Sequence, residues 1–240
     1  MKTRELGGMR VRITGGTDRE GGGDGPVVVL LHGFGAPGTD LVPLWRELAV
    51  PAETRFVFPE APLELEFEGG LELGDARAWW LIDMQKLEAA VLGGELRDLT
   101  RDVPEGMSDA RALVSDMLDA VERELHVDGS RVVLGGFSQG AMLALDIALR
   151  TERKLAGLVL LSGTLLAEDE WLPLMPRRAG LPVLQSHGRM DPLLPFSIAE
   201  MLRDRLTTAG LAVRFVAFNG GHEISGSVLD ELGRFVARVS

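Results

Sequence analysis

Two kinds of hydrophobic spacing alternate along the chain. Short apolar runs, "VVVLLH", "RFVFPEA", "RVVLGGF", "AGLVLLSG", "LPVLQSHG" and "VRFVAFNG", read as strands, and most of the later ones are apolar throughout. A strand covered on both faces has that pattern, as in a parallel sheet whose crossovers pack above and below it. Between these runs, apolar residues recur at helical spacing in "TDLVPLWRELAV", "SDARALVSDMLDAVEREL", "QGAMLALDIALRT", "SIAEMLRDRLTTAG" and "SGSVLDELGRFVARV". Strand and helix in turn predict an α/β fold with a mainly parallel central sheet and helices on both faces. The first run, "MRVRIT", does alternate, with Met9, Val11 and Ile13 on one side, and predicts an edge strand.

Residues 63–106 break the rhythm: they hold several glycines and no clean strand. A connection of that length is usually a lid or a binding loop. Its "AWWLIDM" is too apolar for a solvated linker, so the stretch reads as a lid-like excursion over the carboxyl end of the sheet. There is no internal repeat, and 240 residues suit one domain spanning 1–240.

Charge and cysteine content narrow the chemistry. A net charge of -11, with the two signs mixed along the chain, argues against nucleic acid and against stable membrane insertion or an anionic surface. With no cysteine, disulfides, thiolate catalysis and Cys-ligated zinc are excluded. Neither a signal peptide nor a membrane-length apolar stretch is visible, so a cytoplasmic location is expected. The exposed apolar excursion leaves room for a homodimer.

The run "LGGFSQGAML" carries the reactive residue. Gly136-Phe137-Ser138-Gln139-Gly140 fits G-x-S-x-G between a strand and a helix, the arrangement of a nucleophile elbow. So tight a turn strains the serine backbone and lifts its hydroxyl clear of the sheet. It also sets Ser138 at a helix N-terminus, which favours developing negative charge. The alternative is a plain strand–helix turn with Ser138 as cap.

A serine hydroxyl needs a base. His126 ends an amphipathic helix and reads as a surface residue. His32 and His187 each end a strand and suit buried, orienting roles. His222, in "FNGGHEIS" after the last strand, can reach the carboxyl end of the sheet on a glycine-flanked loop. The acid should lie between serine and histidine after a strand end, and Asp191 in "SHGRMDPLLP" does. Glu168, Asp169 and Glu170 compete, but read as a solvated acidic turn. Loop or turn roles for His222 and Asp191 stay open at this point. The backbone N–H groups of Gln139 and Phe34, the latter in "LLHGFG", suit an oxyanion hole. Trp79, Trp80, Leu81 and Leu193 are expected to bind the acyl part of a substrate, with core packing an equal alternative for the tryptophans.

The pieces "LLHGFG", "FVFPEAP", "AWW", "GGFSQGAMLAL", "LLSG", "SHGRMDPLLP" and "GGHEI" run in order from about 27 to 225. In that order the chain resembles an α/β-hydrolase of the phospholipase/carboxylesterase family, which includes acyl-protein thioesterases. The resemblance implies a serine hydrolase of carboxylic esters or thioesters, with Ser138, Asp191 and His222 as triad and no metal or organic cofactor. Short to medium acyl esters are expected substrates, with long-chain lysophospholipase or acyl-protein thioesterase activity as the alternative. A non-catalytic binding protein on the same scaffold is the rival of another class. The first glycine loop departs from the family pattern, with its acidic residue and tryptophan displaced to Asp40 and Trp45.

Overall fold

Neighbouring residues on a strand point to opposite faces, so a strand made only of Val, Leu and Phe must be covered twice. The computed structural model, which describes residues 1–65, 75–82 and 99–239, covers it twice. The strands are β1 (Lys2–Leu6), β2 (Met9–Gly15), β3 (Val27–Leu31), β4 (Arg55–Pro59), β5 (Leu63–Glu64), β6 (Arg77–Ala78), β7 (Val132–Phe137), β8 (Gly157–Leu161), β9 (Pro182–Gly188) and β10 (Ala212–Phe218). The helices are α1 (Leu44–Glu47), α2 (Met107–Glu124), α3 (Gln139–Arg150), α4 (Glu168–Trp171), α5 (Phe196–Thr208) and α6 (Gly226–Val239).

Eight strands share one sheet in the order β1-β2-β4-β3-β7-β8-β9-β10. From β4 to β10 every pairing is parallel, while β1 and β2 run antiparallel to their neighbours. Val27, Val29 and Leu31 of β3 join one core with Val114 and Leu118 of α2, Leu143 and Leu145 of α3, and Leu202 and Leu206 of α5. Val28 and Leu30 join the other, with Leu44 of α1 and Val228, Leu232 and Phe235 of α6. Among the described residues, no helix is long and apolar enough to cross a membrane.

Three departures from the sequence reading have physical causes. "MRVRIT" is not the edge strand, because β1 pairs outside it, from Lys2 opposite Ile13 to Leu6 opposite Met9. The segment "KTREL" has no apolar alternation to announce a strand, and charged residues are what an exposed edge tolerates. Next, "TDLVPLWRELAV" yields only the four-residue α1, starting after Pro43; a proline disfavours helical geometry in the residue before it. Conversely "LLAEDEWL", read as a solvated turn, contains α4. There Trp171 is fully buried and its Nε1 donates to Asp146 Oδ1 at 2.8 Å. Of the 63–106 excursion, residues 66–74 and 83–98 lie outside the described residues. Its described part includes a small antiparallel pairing, Leu63 opposite Ala78, that the sequence did not suggest.

Candidate active site

Ser138 lies between the end of β7 and the start of α3, with φ 54° and ψ -117°. A non-glycine residue holds such angles only where its surroundings impose them. The two elbow glycines show what does. A Cβ on Gly136 would lie 2.5 Å from the Gly140 carbonyl carbon and 2.5 Å from Leu31 O. One on Gly140 would lie 2.1 Å from Leu31 O. The helix therefore starts directly against the backbone of β3. Ser138 N donates to Leu161 O of β8 at 2.8 Å, tying the turn to the sheet on its other side.

His222 follows β10. Its Nε2 lies 2.8 Å from Ser138 Oγ, and its Nδ1 lies 2.7 Å from Asp191 Oδ2. Its ring rests on Phe137, with centroids 4.9 Å apart. The loop that carries it is seated on the end of β9, because a Cβ on Gly188 would lie 2.1 Å from Gly221 O. Arg189 N and Met190 N donate to Phe218 O and Gly220 O at 2.9 and 3.0 Å. Ser162, at φ 48°, donates its hydroxyl to Glu223 O at 3.3 Å. The Arg189 and Met190 contacts bind the acid-bearing and histidine-bearing loops to each other, and Ser162 ties the histidine-bearing loop to the end of β8.

Asp191 is 7% exposed. Its Oδ1 accepts Leu193 N and Leu194 N, both at 2.9 Å. Burial by itself would raise its carboxyl; the His187 and His222 N–H groups and the backbone of Leu194 outweigh that and hold it well below the usual carboxylate range. It stays an anion beside the His222 imidazole. Glu168 and Glu170, two of the competing acids, instead pair with Arg205 and Arg150.

The early glycine loop passes beside the serine, since a Cβ on Gly33 would lie 3.4 Å from Ser138 Cβ. Gly35 N donates to Arg77 O at 2.8 Å, and Arg77 N to Ala36 O at 3.2 Å, which pins the loop to β6. The next N–H after Gly33 is that of Phe34. Gln139 opens α3, so its N–H has no carbonyl in a preceding turn to donate to.

Gln139, expected to contribute its backbone N–H, also has a fully buried side chain that no local sequence pattern marks. Its Oε1 accepts Trp79 N and its Nε2 donates to Trp80 O, each at 2.9 Å. Trp79 Nε1 donates to His32 O at 2.8 Å. The tryptophans, each 2% exposed, are thus held in the core, while Leu81 is 68% and Leu193 39% exposed. His32 is buried: its Nε2 accepts Ala61 N at 3.1 Å and its Nδ1 lies 2.8 Å from Gly33 O, so the proton is on Nδ1. Burial holds its ionisation below the usual imidazole range. His126 is exposed, just past the end of α2. Among the described residues, no cluster of three or more ligand-type side chains is arranged to hold a metal ion.

The chain is similar to proteins already characterised. A family model described as Phospholipase/Carboxylesterase matches residues 20–240. Acyl-protein thioesterase 1 of Neurospora crassa is 28% identical over 218 residues, covering 87% of this chain and 84% of that protein. Acyl-protein thioesterase 1 of Eremothecium gossypii is 30% identical, covering 87% and 85%. The crystal structure of esterase PE8 superposes with a TM-score of 0.78 at 27% identity, over 100% of both chains. That of the Bacillus cereus carboxylesterase has the same fold, at 22% identity and a TM-score of 0.67 over 97% and 95%. A family match over most of the sequence, joined to 30% identity with the Eremothecium protein, shows that the chain belongs to the phospholipase/carboxylesterase family.

Proposed function

We propose that this protein is a serine hydrolase that cleaves carboxylic esters or thioesters through an acyl-enzyme. The observation that carries the reading is His222, whose ring nitrogens lie 2.8 Å from Ser138 Oγ and 2.7 Å from Asp191 Oδ2. With its proton on Nδ1 and hydrogen-bonded to Asp191 Oδ2, the ring offers the Nε2 lone pair to the serine hydroxyl. His222 takes that proton as Oγ attacks the substrate carbonyl carbon. The resulting oxyanion is met by the N–H groups of Phe34 and Gln139. Asp191, kept ionised, stabilises the imidazolium without taking its proton. The tetrahedral intermediate then collapses; the alkoxide or thiolate leaves with the proton from His222. Water repeats the sequence on the acyl-Ser138 ester, releasing the acid and the free hydroxyl.

Leu81 and Leu193, both exposed, are assigned to meet the acyl chain, while Trp79 and Trp80 are buried and tied to Gln139 and His32. Short to medium acyl esters are the favoured substrates. The names of the Neurospora and Eremothecium relatives favour a second reading, long-chain acyl thioesters. A fluorophosphonate probe tests the chemistry: native protein is expected to be labelled on Ser138. Ser138→Ala is expected to fold normally, take no label and lose about 10³-fold or more in turnover. Native protein that takes no label, or an alanine variant that keeps its turnover, would sink the reading. Ester and thioester series of rising chain length then separate the two substrate readings.

A further inference from the structure

Strand β9 ends in "QSHG", and His187 within it is completely buried. Its Nε2 lies 2.9 Å from Leu194 O and 3.3 Å from Asp191 Oδ2, and its Nδ1 has no hydrogen-bond partner among the described residues. The tautomer follows from these neighbours. A proton on Nδ1 would strand a donor in the core and turn the Nε2 lone pair toward two oxygens. A proton on Nε2 gives both oxygens a donor and leaves only an acceptor unpartnered.

Asp191 is therefore gripped from several sides. Oδ1 takes two backbone N–H groups, from Leu193 and Leu194, and Oδ2 takes His222 at 2.7 Å with His187 behind it at 3.3 Å. The stronger hydrogen bond of His187, to Leu194 O, acts on the same carboxylate, because Leu194 is one of the residues whose N–H cradles Oδ1. The two imidazoles are differently mounted. His222 sits on a loop with its side chain 14% exposed; His187 sits on β9, paired on both sides, with none.

We propose that His187 is a positioning residue for Asp191: from the core side, its Nε2–H locks the 191–194 turn and holds Oδ2 aimed at His222. The inference rests on reading Ser138, His222 and Asp191 as a triad. Other titratable groups on the surrounding elements are Arg189 on the same turn, stacked over Phe196 of α5, Glu223 on the His222 loop, and Glu200 on α5, paired with Arg203. Among the described residues, His187 and His222 are those whose side chains reach the Asp191 carboxylate. Its ionisation, which burial raises and these donors hold low, supplies a readout independent of catalysis.

Denaturant unfolding from pH 7 to about pH 3 tests this in His187→Leu and His187→Gln, each with Asp191 intact and with Asp191→Asn. Glutamine can present an amide N–H near the position of Nε2; leucine presents none. Loss of the donor lets the Asp191 carboxyl rise toward its ordinary range, so His187→Leu should be less stable than native at pH 7, and its acid limb should be shallower and level off at a higher pH. The acid limb should stay near the native position in His187→Gln, and the difference between the two should vanish in the Asp191→Asn background. If His187→Leu does not fold, His187→Asn, polar but too short to reach Asp191, replaces it. Fluorophosphonate labelling of Ser138 should slow by about ten- to a hundredfold in the leucine variant and be largely restored in the glutamine variant. A stability loss uniform in pH, a limb shift that persists without Asp191, or a glutamine variant as impaired as leucine would overturn the proposal. Native protein that takes no label would overturn the hydrolase reading instead, and the unfolding series would still decide the role of His187.

Discussion

At Ser138 and its two flanking glycines, backbone and chemistry are one problem. The serine angles belong to a region that costs about 1–3 kcal/mol, and the packing of α3 against β3 imposes them. The Gly140 site leaves no room to relax, since the obstructing atoms are Leu31 O at 2.1 Å and Leu31 C at 2.5 Å, both backbone of a central strand. Gly140→Ala is expected to destabilise the protein by at least about 1–3 kcal/mol, read as a lower denaturation midpoint. Gly226→Ala, where nothing lies within 4 Å of an added Cβ, is the matched control and should show no such loss.

Elements are joined to the site by side chains that no local pattern marks. Gln139 reaches from the first turn of α3 to the backbone of Trp79 and Trp80, a separation of about sixty residues along the chain. Asp146, fully buried in the same helix, takes Arg111 of α2 at 2.5 Å, Arg150 at 2.7 Å and Trp171 of α4 at 2.8 Å. Gln139→Met keeps the shape and strands a buried N–H and a buried carbonyl. Each stranded group should cost about 1–3 kcal/mol, measured by denaturant unfolding. The Gln139 N–H survives that substitution, so serine labelling should persist in whatever fraction remains folded.

For the whole molecule, acid is the condition that reaches the site and the fold together. Asp191 is ionised in the native state and its ionisation is depressed relative to the unfolded chain. The stability it contributes is complete above the ordinary carboxylate range, near pH 4, and is lost as pH falls below that range toward its native value. Asp191→Asn removes this contribution. Its melting temperature should be lower than native at pH 7, and the gap should narrow as pH drops below about 4. A gap of constant size across that window would mean that the carboxylate charge plays no such part.

Much of this architecture was readable in the chain. The seven inner and late strands, the long helices and the crowding of Gly136 and Gly140 follow from alternation, period and side-chain size, which act between residues close in sequence. So does the nomination of Ser138, Asp191 and His222, each standing where a strand gives way to a loop or helix. Other features depend on partners that sequence distance hides. The charged β1, paired with β2, carries no apolar signal to announce it, and α4 carries a Trp171 whose partner, Asp146, lies 25 residues away. Trp79 and Trp80 went into the core because Gln139 and His32 met their polar groups. Only tertiary structure decided that 138, 191 and 222 stand within hydrogen-bonding reach. Parallel pairing brings the ends of β7, β9 and β10 to one rim, and Gly188 lets the His222 loop lie across the acid loop. A hydrogen bond lost to one misplaced ångström is set by packing across the sheet, and packing is written in no short stretch of residues.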